Sequence, residues 1–197
     1  TPDGKSEREV NRRVGLAWGA MSRWQRVWHS KYLSRRTKVE VFKRLVLPVL
    51  LYGCEAWTLT DDLKRRLDSF GTSSLRRILG YRWTDFVSND RLLEETSMKK
   101  ISELIFERQM SMFGHVARLS SDDPAHRILS CSNPVGWKRG RGRPLSSWLR
   151  QMEGFCRRVG TNREQAWALA KEDADAYRDS WRDAAKAPAA GGASSRK

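Results

Sequence analysis

Apolar residues return along this chain at alternating intervals of three and four positions, the repeat of an α-helix with one buried face. Val10, Val14, Ala17, Met21, Trp24 and Trp28 form one such stripe, which predicts a single helix from Ser6 to about His29. Ser6 with Glu9 three residues on has the form of a capping box. A second helix is predicted from Ser34, with Val39, Phe42, Leu45, Val46, Val49 and Leu50. Towards its end it is apolar nearly all round, as a central helix should be, and Pro48 should kink or interrupt it. Thr60 caps a third, with Leu63, Leu67, Phe70, Leu75 and Leu79 inward and Gly80 at the stop. Ser88 opens a short fourth helix and Ser97 a fifth, which carries Ile101, Leu104, Ile105, Met112 and Val116.

The pattern then lapses. Residues 120–144 have the composition of a basic linker, with Asp122-Asp123-Pro124, Asn133-Pro134 and the run from Lys138 to Pro144. Two more helices are predicted over 145–186. One has Trp148, Leu149, Met152 and Phe155 on a face; the other has the capping pair Thr161 and Glu164, then Trp167, Ala170, Ala174, Tyr177 and Trp181. The Ala/Gly/Ser tail over 187–197 reads as disordered. Pro2-Asp3-Gly4 reads as the turn of a β-hairpin, and no other strand pattern occurs. The predicted fold is therefore all-α: a bundle of five helices over 6–119, a basic linker, and a C-terminal helical pair.

Charge changes the picture more than size does. The chain has 197 residues, enough for one ordinary domain with or without a small appendage. Its nine Trp and 39% hydrophobic content supply a core. The net charge of +15 is uneven. Residues 1–60 carry twelve Lys/Arg against five Asp/Glu and residues 121–160 eight against three, while the blocks between and after are nearly balanced. Such a balance favours polyanionic partners, nucleic acid first and an acidic membrane surface second. The longest apolar run, Leu45 to Tyr52, is about half of a membrane span. No leader is recognisable, and Thr1 in place of an initiator Met reads as a cut point in a longer protein. Three widely spaced cysteines (Cys54, Cys131, Cys156) fit a reducing, intracellular setting.

Several phrases resemble, in this order, the end of a LINE-type (non-LTR) retrotransposon reverse transcriptase. They are Asp3-Gly4 with Glu9-Val10-Asn11-Arg12-Arg13, then the stretch from Val46 to Trp57 with Pro48 and Tyr52-Gly53-Cys54-Glu55-Ala56-Trp57. Leu75-Arg76-Arg77-Ile78-Leu79-Gly80 follows, with Trp83 and Asp85 after it. Gly114-His115-Val116-Ala117-Arg118 comes next, and Gly142-Arg143-Pro144 with Trp148 is last. The final part most resembles the RTE-like branch. The resemblance implies that residues 1–5 end the palm, that 6–119 form a thumb gripping template–primer duplex, and that the rest is a clade-specific tail. It implies a nuclear and cytoplasmic protein, palm and fingers upstream in the same polypeptide, and Mg²⁺ bound there rather than in this chain.

Polymerase chemistry needs carboxylates on a β-turn after an aromatic residue and Ala, where they hold two Mg²⁺ ions. Asp61-Asp62 and Asp122-Asp123 lack that context and read as structural, so no catalytic residue is assigned. Arg12, Arg13, Arg23 and Arg26 could line a duplex backbone together with Lys38, Lys43 and Arg44; the plain alternative is a solvated face. Lys138, Arg139, Arg141 and Arg143 read as a basic linker on phosphates, while Arg141-Gly142-Arg143-Pro144 also matches an AT-hook core for the minor groove. His126 and Cys131, with His115 and Cys156 nearby, fall short of a zinc knuckle for want of a Cys-x2-Cys pair, so no metal site is assigned. Trp24, Trp28, Trp57 and Trp83 read as core residues, Cys54 as a buried small hydrophobe, and His115 as structural. No membrane and no small-molecule substrate is implied. A free-standing DNA-binding protein using the hook, or a decayed relic, are the alternatives.

Overall fold

The computed structural model describes residues 6–130 and 147–186. The fold is all-α, with helices and short 3-10 turns and no strand among the described residues. The chain divides into two compact units, residues 1–106 and 107–197.

The first unit holds α1 (Glu7–Arg23), α2 (Gln25–His29), α3 (Arg35–Leu45), α4 (Leu47–Leu50), α5 (Asp61–Leu79), α6 (Asn89–Thr96) and the start of α7 (Ile101–Ala117). The apolar stripes do meet: Met21, Phe42, Leu50, Leu67, Leu75 and Ile78 are all fully buried, and Trp18 stands edge-on to Phe70 with ring centroids 4.8 Å apart. Helix α5 is bounded as predicted. Thr60 Oγ1 accepts from the Leu63 N–H at 3.3 Å, and Gly80 at φ 77 closes the helix, a conformation that a side chain resists.

Several predicted ends and faces move. The first helix breaks at Trp24 (φ −95, ψ 18), and the buried Trp28 indole N–H donates to the Met21 carbonyl at 2.8 Å, satisfying a group near the break. Ser6 forms no capping box. Its backbone is already helical, its hydroxyl accepts from the Thr58 N–H at 2.7 Å, and Glu9 turns to Arg12 and Arg13. The second helix splits at Val46, because Pro48 has no N–H to continue the ladder, and Leu45 is left 39% exposed. The fifth helix starts at Ile101 rather than Ser97, which at φ 47 closes α6. In place of Ser97, Asp68 of α5 caps α7, taking the Ser102 N–H and hydroxyl at 2.8 Å each.

The second unit holds the rest of α7 with α8 (Pro124–Ser130), α9 (Trp148–Arg158), α10 (Arg163–Glu172) and α11 (Ala174–Lys186). The predicted linker thus begins with a helix: Asp123 Oδ1 accepts from the Ala125 N–H at 2.8 Å, and Pro124 suits a first turn. The capping box of α10 is Asn162 with Gln165, one residue along from Thr161 and Glu164. The last predicted helix is two, because Asp173 leaves the helix (φ −139, ψ 99) and its Oδ1 accepts from Asp175 and Ala176 to open α11.

Phe113 packs edge-on to Trp167 with centroids 5.3 Å apart, and Met152, Phe155 and Cys156 are buried. Tyr177 lies directly on Gly114, where a Cβ would stand 2.5 Å from its Cε1, and its hydroxyl donates to the Met110 carbonyl at 2.8 Å. Arg118 donates to the Ala170 carbonyl at 3.1 Å. The Gly114–Arg118 phrase therefore packs α7 against α10 and α11. Burial pushes the Tyr177 hydroxyl and the Cys156 thiol above their ordinary pKa ranges. Met112, one of the apolar residues that the fifth predicted helix carries, is 43% exposed. The Pro-Asp-Gly turn, the run from Lys138 to Pro144 and the 187–197 tail lie outside the described residues.

Candidate nucleic-acid interface

Two carboxylates organise four of the basic side chains singled out in the first helices. Arg12 Nη1 donates to Glu9 Oε1 at 3.1 Å and Arg13 Nε to the same oxygen at 2.7 Å. The Arg13 hydrogen bond, with the charge of both guanidinium groups, holds the Glu9 carboxyl below its usual range. Arg13 is partly buried, and its guanidinium lies 4.4 Å from the centroid of Tyr52, so it clasps α1 to the turn after α4. On α3, Lys43 Nζ donates to Glu40 at 3.0 Å and Arg44 Nε stands 4.0 Å from the same carboxylate.

Arg23, Arg26 and Lys38 carry no ion pair among the described residues. Arg12 and Arg23 are eleven positions apart, three helical turns, so they share the outward face of α1 opposite Val10, Ala17 and Met21. Both are exposed, with Gly15, Leu16 and Gly19 exposed between them. Two outward arginines with Gly15 and Gly19 between them, beside the exposed Leu16, leave room for a phosphate backbone to approach.

The first turn of α3 carries Arg35 and Arg36 and no acidic residue, against the preference of the helix dipole. Arg35 is engaged: its Nη1 donates to Glu95 Oε1 at 2.8 Å and to the Tyr81 hydroxyl at 3.3 Å, while that hydroxyl donates to Glu95 Oε2 at 2.6 Å. The bond from Tyr81, with that from Arg35, lowers the pKa of Glu95, and the bond to Glu95, followed by that to Tyr81, raises the pKa of Arg35. Arg36 makes no ion pair and lines a cleft with Arg35, Lys43, Val39 and Leu79. Lys43 therefore joins Arg35 and Arg36, whereas Arg13 sits by Tyr52 and Arg12 beside it on Glu9, towards the start of α1. Lys31, Tyr32, Arg35 and Arg36 are not among the residues expected from sequence; their acid-free run is visible there, but the exposure of Tyr32 is seen only in the fold. Lys138, Arg139, Arg141 and Arg143 lie outside the described residues.

Asp61 pairs with Lys64 at 2.9 Å, and Asp62 pairs with Arg65 at 3.4 Å and Arg66 at 3.1 Å, at the N-terminus of α5. The Asp61 carboxyl is lowered mainly by its hydrogen bond from Lys64. Among the described residues no group of three His, Cys, Asp or Glu side chains could hold a metal ion. His126 is buried edge-on to Trp167, with centroids 5.2 Å apart, and Cys131 lies outside the described residues. Trp28 and Trp57 are buried and Trp24 half-buried, but Trp83 is 86% exposed. It follows the reversal at Gly80 in a 3-10 turn, Trp83–Asp85, none of whose residues is buried. No helix among the described residues is long and apolar enough to cross a membrane.

No protein-family model matches the chain, and no solved structure matches it. Over 146 residues, 71% of this chain, it is 30% identical to an uncharacterised transposon-derived protein of Caenorhabditis elegans. The chain spans about half, 51%, of the length of that curated relative. What these comparisons establish is similarity to a protein of transposon origin.

Proposed function

We propose that this chain is the nucleic-acid-gripping, C-terminal helical portion of a LINE-type retrotransposon reverse transcriptase, the thumb and tail that follow the catalytic palm. The observation that carries the proposal is the similarity to a transposon-derived protein over 71% of this chain, which joins the ordered phrases that resemble such polymerases. The unpaired Arg23, Arg26 and Arg36 and the outward row on α1 support it. Their work is positional: guanidinium and ammonium groups bind phosphates, release counterions and keep an RNA/DNA or DNA duplex in register. In the parent polypeptide this grip would serve copying of the element's RNA from a nicked DNA end, in the nucleus, with Mg²⁺ held by the palm. The chain by itself has no aromatic-Ala-Asp-Asp box and is expected to extend no primer.

Sequencing the native transcript upstream of the Thr1 codon tests the assignment. Continuation of the reading frame into an aromatic-Ala-Asp-Asp box on a hairpin supports it. A start codon close by, with no such box, replaces it with the second reading, a free-standing DNA-binding protein that uses Arg141-Gly142-Arg143-Pro144. That reading calls for preference for A·T-rich duplex, lost on joint Arg141→Ala and Arg143→Ala substitution.

A further inference from the structure

The most exposed aromatic rings of the first unit are gathered in two turns. Tyr32, between α2 and α3, is 99% exposed; Trp83 and Phe86, between α5 and α6, are 86% and 87% exposed. The Arg35–Tyr81–Glu95 bonds tie these turns together. Tyr32 precedes Arg35 by three residues and Trp83 follows Tyr81 by two, so both lie within roughly 11 Å of chain from that junction. Three large rings left in water on two turns joined at that junction forgo a burial that would stabilise the fold.

The second turn is held in shape rather than slack. Asp85 Oδ2 accepts from the Arg82 N–H at 2.7 Å, and Ser88 Oγ accepts from the Arg91 N–H at 3.2 Å to start α6. Between them Phe86 sits at φ 48, a left-handed conformation that a bulky side chain resists, and backbone strain of this kind is tolerated where a side chain must be presented. The charge at the corner suits an anion. The run from Lys31 to Arg36 has no acidic residue, and Lys31 and Arg36 make no ion pair. Asp85 is occupied with its turn and Glu95 with Arg35 and Tyr81.

We propose that this corner is a stacking platform for unpaired nucleotides. Tyr32, Trp83 and Phe86 take base faces, and Lys31, Arg36 and Arg82 take the phosphates between them. Stacking on aromatic faces with cations along the backbone is how single strands are held without sequence preference. The proposal rests on the nucleic-acid reading above and adds a single-stranded site separate from the outward face of α1.

The test measures binding of the full chain to a single-stranded oligonucleotide carrying 2-aminopurine, beside a blunt RNA/DNA hybrid. Tyr32→Ala, Trp83→Ala and Phe86→Ala are each expected to weaken single-strand binding roughly tenfold and to relieve 2-aminopurine quenching. Tyr32→Phe should retain both, and hybrid affinity should hold in all four. Unchanged single-strand affinity in the three alanine variants overturns the platform. If hybrid binding then still falls on Arg23→Ala, the platform alone has failed; a chain that binds neither ligand takes the nucleic-acid reading down with it. Loss of self-association on Trp83→Ala, with affinity unchanged, assigns the rings to a protein contact and equally overturns the proposal.

Discussion

Alanine at Gly114 would put a methyl carbon 2.5 Å from Tyr177 Cε1 and 3.0 Å from Cδ1. Optimal carbon–carbon separation is about 3.5–4.0 Å, so the ring must move by an ångström or more. Tyr177 is 3% exposed, and its hydroxyl is anchored on the Met110 carbonyl at 2.8 Å, which leaves the ring little room to slide. Overpacking of this kind costs about 1–3 kcal/mol, and a strained or lost hydrogen bond adds roughly 1 kcal/mol. Against these, alanine in a helix interior gains about 1 kcal/mol over glycine. The balance is a loss of about 1–3 kcal/mol in the unit of residues 107–197, read as a lowered midpoint in calorimetry of the full chain. Gly15, on the open face of α1, has nothing within 4 Å of its would-be Cβ, so Gly15→Ala isolates the propensity gain and should stabilise. Tyr177→Leu beside Gly114→Ala should show strong coupling in a double-mutant cycle. If Gly114→Ala stabilises as Gly15→Ala does, the packing argument is wrong.

Asp68→Ala removes the cap of α7 and should cost about 1–2 kcal/mol in denaturant unfolding. Asp62→Ala, on an exposed carboxylate, should change stability little. Glu95 has a lowered pKa in the fold, so its contribution is present above the ordinary carboxylate value and is lost as pH falls through the folded one. Wild type and Glu95→Gln should therefore differ in melting temperature at neutral pH and converge only as the pH falls below the ordinary carboxylate range. The difference should be no more than about 1 kcal/mol, since the Arg35 side chain is 60% exposed. A gap that persists unchanged into strong acid would contradict this.

Burial and helix identity were legible wherever a stripe kept its period: Val10, Ala17 and Met21, or Leu63, Leu67, Phe70 and Leu75, lie where the spacing puts them. Breaks were not legible where the apolar period runs through them, as at Trp24, where the bond that accompanies the turn, from the Trp28 indole to the Met21 carbonyl, exists only once the chain has folded. Asp68 reads as one more polar residue in mid-helix, and only folding brings Ser102, thirty-four positions on, against it. Ser6 and Ser97 have good capping chemistry but are outcompeted, Ser6 by a bond from Thr58 and Ser97 by the left-handed closure of α6. For the candidate interface, sequence names the cations but not which ones carboxylates engage. Glu9 holds Arg12 and Arg13, Glu40 holds Lys43 and Arg44, and the acid-free corner with Tyr32 stands out only once exposure is known.

The central claim is that these cations grip a nucleic-acid duplex. Its most direct test is a fluorescence-anisotropy titration of a labelled RNA/DNA hybrid with the full chain, repeated over a range of salt. The expected result is binding that weakens linearly on a log–log plot by roughly 0.9 per phosphate neutralised. Arg23→Ala with Arg26→Ala should lower affinity and flatten the slope by about 2. Absence of binding at low salt, or an affinity and slope unmoved by that double substitution, would contradict the account.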